Sequence, residues 1–165
     1  MNVIFLDFDG VLNSLDYFIE REPKVLELYK DKNYVNDISL RFKRLMLDID
    51  INKVKLLKEI ALETNSYVVV ISSWKNFGLF PSVRDKLVEM GIPIIGITKG
   101  SGENRGAEIK NYLNENMIEK YIILDDEIFH DYDDELIFHL VKTSFTQGGL
   151  TNNHKIKAVK MLMKK

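Results

Sequence analysis

Residues 3–10 read Val-Ile-Phe-Leu-Asp-Phe-Asp-Gly: four apolar residues run straight into two carboxylates two positions apart, and a glycine closes the run. Four consecutive apolar residues that end at a turn suit a strand buried on both faces, as inner strands of parallel sheets are. Such a strand delivers Asp7 and Asp9 at its carboxyl end, where open α/β sheets hold their ligands. Two carboxylates ~5 Å apart repel by roughly 3 kcal/mol at an effective dielectric near 20. A site that keeps both ionised calls for a cation, and a hard ion with oxygen ligands such as Mg²⁺ suits it.

The rest of the chain alternates in a way that supplies the partners such a strand needs. Tyr67–Ile71 and Tyr121–Leu124 are short, apolar and end in polar residues, and Pro93–Ile97 and His139–Lys142 are shorter candidates. Between them, Val54, Leu57, Ile60 and Ala61 fall at helical spacing. So do Val83, Leu87, Val88 and Met90, entered by Pro81 and stopped by Gly91. A further helix starts near Arg105 with Ala107, Ile109, Leu113 and Met117, and Thr151 caps a closing helix through Met163. Strand and helix in alternation predict a mostly parallel α/β sheet with right-handed crossovers. Only Leu15–Asp50, rich in charge and aromatics, departs from this pattern, and it reads as a small inserted cap over the site beside Asp7.

With 165 residues the chain is expected to form one domain, 1–165, with 15–50 inserted within it. A net charge of -2 argues against bulk electrostatic capture of nucleic acid and leaves only a local basic patch open. The absence of cysteine excludes disulfides, thiolate zinc sites and cysteine nucleophiles. No basic leader and no run of about 18 apolar residues is visible, so the expectation is a cytoplasmic protein without a membrane partner or an obligate protein partner.

Four polar strand or helix ends occur in a telling order: Asp7-Phe8-Asp9-Gly10, then Ser72, then Arg105, then Asp125-Asp126. They resemble the four ordered motifs of the haloacid dehalogenase-like (HAD) phosphohydrolase superfamily over roughly residues 3–163. Asp-Gly-Val-Leu-Asn, Ser72-Ser73-Trp74 and Gly149-Leu150-Thr151 make the chain most similar to the small HAD domains of bacterial and phage RNA-repair proteins. The resemblance implies a three-layer α/β/α sandwich around a Rossmann-like sheet. It also implies a Mg²⁺-dependent phosphatase that hydrolyses a phosphate monoester through an aspartyl-phosphate intermediate.

In that scheme Asp7 is the nucleophile, and Asp9 protonates the leaving oxygen and then deprotonates water. Asp9 shares a pleat face with Asp7 if the strand continues. The second aspartate favours phosphate over carbon–halogen chemistry. Ser72 and the Ser73 amide bind the phosphate, and a cation neutralises it. Arg105 fits the cation-then-helix pattern and suits phosphate through its fork geometry, with Lys99 as its rival. Asp125 and Asp126 complete a metal site with Asp7 and Asp9, the last through its backbone carbonyl, and Asp131 is an auxiliary acidic candidate.

The substrate expected is a nucleotide or a nucleic-acid terminus, with a sugar phosphate or a phosphoprotein as alternatives. A HAD-fold binding or scaffolding module without turnover is a rival, disfavoured because every motif position is chemically competent. A response-regulator receiver is a weaker one, because no aspartate follows the strand at 67–71. His130, His139 and His154 lack metal-ligand spacing, and the glycine-rich loop at 100–106 lacks the Lys-Ser/Thr of a P-loop. Trp74 reads as a packing residue more than a base-stacking one, and the C-terminal lysines as a solvated helix face.

Overall fold

A computed structural model describes residues 1–164. Five strands, β1 (Asn2–Leu6), β2 (Ser66–Val70), β3 (Ile94–Ile97), β4 (Lys120–Asp125) and β5 (Leu140–Lys142), form one sheet in the order β3-β2-β1-β4-β5. Every pairing is parallel. The helices are α1 (Leu15–Tyr29), α2 (Ile38–Met46), α3 (Ile51–Thr64), α4 (Phe80–Glu89), α5 (Arg105–Glu115), α6 (Asp134–Phe138) and α7 (Asn152–Met163). The expected three-layer sandwich and Rossmann-like parallel sheet are what the chain adopts.

The two-residue period of β1 explains the layers. Ile4 and Leu6 point to one face, where they join Leu57 and Ile60 of α3, Val83 and Leu87 of α4 and Leu162 of α7. Val3 and Phe5 point to the other, against Ile109 of α5 and Leu136 of α6. All four strand residues are fully buried, the burial on both faces that an unbroken apolar run predicts.

The segment before α3 is less deeply packed. Helix α1 buries Arg21, Val25 and Leu28, whereas α2 buries no residue fully. Polar contacts hold the pair at its end: Asp48 Oδ1 lies 2.8 Å from Arg21 Nη2 and 2.6 Å from Arg44 Nη1, and the Tyr17 hydroxyl is 3.0 Å from the carbonyls of Leu47 and Ile49. Among the described residues no helix is long and apolar enough to cross a membrane.

The strand order locates the functional end of the sheet. From β1 the chain moves outward through β2 to β3, then returns to the other side of β1 with β4 and β5, so the order reverses between β1 and β4. A crevice opens at such a switch point, outside the carboxyl ends of the strands. Leu6 stands in register with Leu124, so the next residues, Asp7 and Asp125, leave adjacent strands side by side.

Candidate active site

The backbone of Asp7 still belongs to the sheet: its N–H donates to the Leu124 carbonyl at 2.9 Å. Beyond it the strand does not continue. Val11 and Leu12 both donate to the Phe8 carbonyl, and the chain turns through Gly10 at φ +73°. Asp9 therefore shares no pleat face with Asp7, which corrects that conditional expectation. Asp7 is buried and Asp9 exposed. A side chain on Gly10 would collide with the Asp126 carboxyl as well as meet a left-handed backbone, so only glycine fits there.

The turn is braced from several directions. Asn13 accepts from the Gly10 amide at 2.8 Å and donates to Asp9 Oδ1 at 2.9 Å and to the Asp48 carbonyl at 3.0 Å. The hydroxyl of Thr143, just past β5, donates to the Gly10 carbonyl at 2.6 Å. Trp74 packs its ring 5.3 Å from that of Phe8 and donates its indole N–H to Asp9 Oδ2 at 3.0 Å. The expected packing residue thus also orients the second aspartate, with Asn13 on its other oxygen.

Asp7, Asp125 and Asp126 bring carboxylate oxygens within 4.8 Å of one another. Arg105, at the start of α5, spans two of them, with Nη1 2.7 Å from Asp125 Oδ2 and 3.2 Å from Asp7 Oδ2. Its guanidinium lies 4.1 Å over the Phe129 ring. Burial raises the Asp7 carboxyl above its ordinary value, although Arg105 and a hydrogen bond from Ser72 oppose this. Burial, then the charge of Asp7, pushes Asp125 up to about 7 and Asp126 to about 6. Burial alone would lower Arg105; the carboxylates of Asp7 and Asp125 hold it above its usual value.

Three carboxylates against one guanidinium leave an excess of negative charge, and every donor is a hard oxygen. That set fits Mg²⁺. Asp125 is the more committed to protein partners, taking Arg105 and the Tyr132 hydroxyl on Oδ2 and the Glu127 amide on Oδ1. The Asp9 carboxylate lies outside this three-acid cluster among the described residues.

The remaining candidates fall into place around these acids. The Ser72 hydroxyl is buried against Asp7, and Ser73 beside it is exposed. Lys99 is solvent-exposed and pairs with Glu115 at 3.2 Å, away from the acids. Asp131 accepts the Gly106 and Ala107 amides at 3.0 and 2.9 Å, capping the helix that carries Arg105, whose own N-cap Asn104 makes no side-chain bond. His154 completes a capping box with Thr151, and His139 stacks on Tyr121 at 4.0 Å. Among the C-terminal lysines, Lys155 pairs with Glu59 and Glu63. Lys165 is outside the described residues.

One buried pair went unread in the sequence. The Lys75 ammonium, its side chain 2% exposed, pairs closely with Glu108 and donates to the Thr98 hydroxyl at 2.8 Å. Glu108 Oε1 accepts the Gly102 amide at 2.7 Å. The pair therefore ties the turn after β2, the end of β3 and the loop before α5 together. Its only sequence signal is spacing, since Lys75 follows Ser72 by three residues and Glu108 follows Arg105 by three.

A parallel sheet with acids after its first and fourth strands, and an arginine across them, defines an α/β protein of HAD type. Within that class, the model of the HAD domain in Swiss Army Knife RNA repair proteins matches residues 3–154, and the chain belongs to that family. Membership implies a HAD-type phosphohydrolase, hence a hydrolase. No curated protein and no solved structure matches the chain.

Proposed function

We propose that this protein is a Mg²⁺-dependent phosphatase that removes a terminal phosphate from a nucleotide or nucleic-acid end. The observation that carries the reading is the meeting of Asp7, Asp125 and Asp126 at the switch point of the sheet, with Arg105 bridging two of them. Asp7, Asp126 and Asp125 would hold the ion, with the Asp9 backbone carbonyl, and of the two late acids Asp126 is the freer to bind it directly. When bound, the ion supplies positive charge that offsets repulsion between the carboxylates and the phosphate.

The chain's own residues divide the remaining work. Asp7 attacks phosphorus, forming an oxygen–phosphorus bond as the ester bond breaks, and Asp9 gives its proton to the leaving oxygen. Asn13 and Trp74 aim Asp9 at that oxygen. Water then attacks the aspartyl-phosphate, giving its proton to Asp9 and releasing inorganic phosphate and the Asp7 carboxylate. The Ser72 hydroxyl, the Ser73 amide and Arg105 bind the equatorial oxygens, on which charge builds in the transition state. The segment 15–50 acts as a small cap that leaves room for a bulky substrate.

Phosphate release from para-nitrophenyl phosphate with Mg²⁺ tests the chemistry. Asp7→Asn is expected to lose at least about 10³-fold in rate while keeping the fold, and full activity in that variant overturns the mechanism. A parallel screen decides the substrate. Turnover of sugar phosphates with oligonucleotide end-phosphates untouched would remove the nucleic-acid reading.

A further inference from the structure

Resting on the phosphatase reading above, we propose that the groove between α2 and the loop joining β2 to α4 binds single-stranded polynucleotide, stacking a base on Phe77 and placing a phosphodiester against Arg41. The groove encloses about 550 Å³, within the roughly 300–1,000 Å³ of small-ligand sites. Tyr34, Ile38, Arg41 and Arg44 line one side, and Phe77 and Leu79 the other. Phe77 is 45% exposed and Ile38 64%, an apolar and aromatic surface left open to solvent.

Both walls connect through intervening side chains to the same carboxylate, Asp9. On one side the Phe77 ring lies 5.6 Å from Trp74, whose indole N–H binds Asp9. On the other, Arg44 pairs with Asp48, and the Asp48 carbonyl accepts from Asn13, which also binds Asp9. On this proposal, a strand that presents its terminal phosphate to Asp7 runs its next units along this groove.

The charge of the wall selects the occupant. In a chain of net charge -2, the groove is lined by Arg41 and Arg44 and by no acidic side chain. Arg44 is engaged by Asp48 and the Tyr29 hydroxyl, at 2.6 and 3.0 Å. Arg41 is exposed at the groove and available to a phosphodiester. An open aromatic face beside an exposed guanidinium is the pairing by which proteins hold single strands without reading sequence.

The test uses a dye-labelled single-stranded octanucleotide ending in hydroxyls at both ends, as RNA and as DNA, so that no monoester is present and binding is separated from turnover. By fluorescence anisotropy in low salt, Phe77→Ala is expected to weaken binding about ten-fold. Arg41→Ala should weaken it several-fold and flatten the dependence of log affinity on log salt by about one. Phe138→Ala, which removes another exposed aromatic far along the chain, should leave binding unchanged. Absence of binding by the full chain, or equal effects of Phe77→Ala and Phe138→Ala, overturns the proposal. Groove-dependent binding without phosphate release from any ester would retain the groove and refute the phosphatase, whereas phosphate release with binding indifferent to Phe77 and Arg41 would do the reverse.

Discussion

Helix α5 sends two charged side chains, Arg105 and Glu108, to the same end of the sheet, and they enter opposite surroundings. Glu108 meets one ammonium, a hydroxyl and a backbone amide, so its charge is matched and its oxygens are hydrogen-bonded. Arg105 meets two carboxylates with a third close by, and burial drives two of those acids up to about 7 and 6. Both systems are buried, so burial alone does not separate them. Balance does: a matched pair fixes a shape, whereas an unmatched cluster has the charge to attract a cation.

The largest effect should come from unbalancing the matched pair. Lys75→Met leaves a buried carboxylate without its partner, which costs about 3–5 kcal/mol. Chemical denaturation should report that loss, and Lys75→Met combined with Glu108→Gln should recover part of it. If the single variant is as stable as the parent, the pair does not brace the fold. The unmatched cluster should respond in rate instead. Arg105→Ala is expected to lower kcat/KM for para-nitrophenyl phosphate by about 10²–10³-fold, or roughly 3–4 kcal/mol, with Lys99→Ala unchanged. The reverse result would return the phosphate-neutralising role to Lys99.

Raising the pH should expose the excess charge. Asp125 and Asp126 bind protons more tightly in the folded protein than in the unfolded chain, where the ordinary value is 3.8. Their contribution to stability is thus fully present below about pH 4 and is lost as pH rises through 6 to 7. Mg²⁺ should offset that loss, by about 2.7 kcal/mol at a hundred times its dissociation constant. Melting temperatures in EDTA and in Mg²⁺ should therefore diverge as pH rises from 5 to 8, and Asp126→Asn should narrow the gap. A gap independent of pH would mean that the ion does not replace protons at these acids.

This contrast also explains what the sequence made legible. Asp7, Ser72, Arg105 and Asp125 could be found because each stands where an apolar strand ends or a helix begins, and those boundaries leave local signals. β1, α4 and α7 were equally plain, from an unbroken apolar run, a proline-to-glycine span and a threonine cap. Lys75 and Glu108 are 33 positions apart, and only the crossover topology makes them neighbours. A buried charged pair carries no period, so beyond the three-residue spacing from Ser72 and from Arg105 nothing in either segment announces it. Pleat alternation would set Asp9 beside Asp7 only if the strand continued, and it fails where Gly10 turns the chain; the orientation of Asp9 comes instead from Asn13 and from Trp74, 65 positions away. The groove was hidden for the same reason, since its walls come from residues 34–45 and 77–79.

The smallest predicted effect bears on the element that the two systems share. Asp131 accepts two amides in the first turn of α5, so Asp131→Ala removes the only side-chain cap described at that end and should cost about 1 kcal/mol. Because Arg105 and Glu108 both ride on that turn, frayed geometry should lower stability and turnover together, and Asp131→Asn, which keeps one acceptor oxygen, should restore part of each. The Mg²⁺ concentration for half-maximal rate separates this role from the auxiliary acidic one that the family pattern offers. A cap acts through the helix and should leave that concentration nearly unchanged. A residue that orients a ligand of the ion would raise it by about ten-fold or more. Gly106 sharpens the distinction, since a side chain there would collide with the Asp131 backbone. Gly106→Ala should therefore push Asp131 away, backbone and carboxyl carbon alike, and reproduce the Asp131→Ala loss of stability with the acid itself still present.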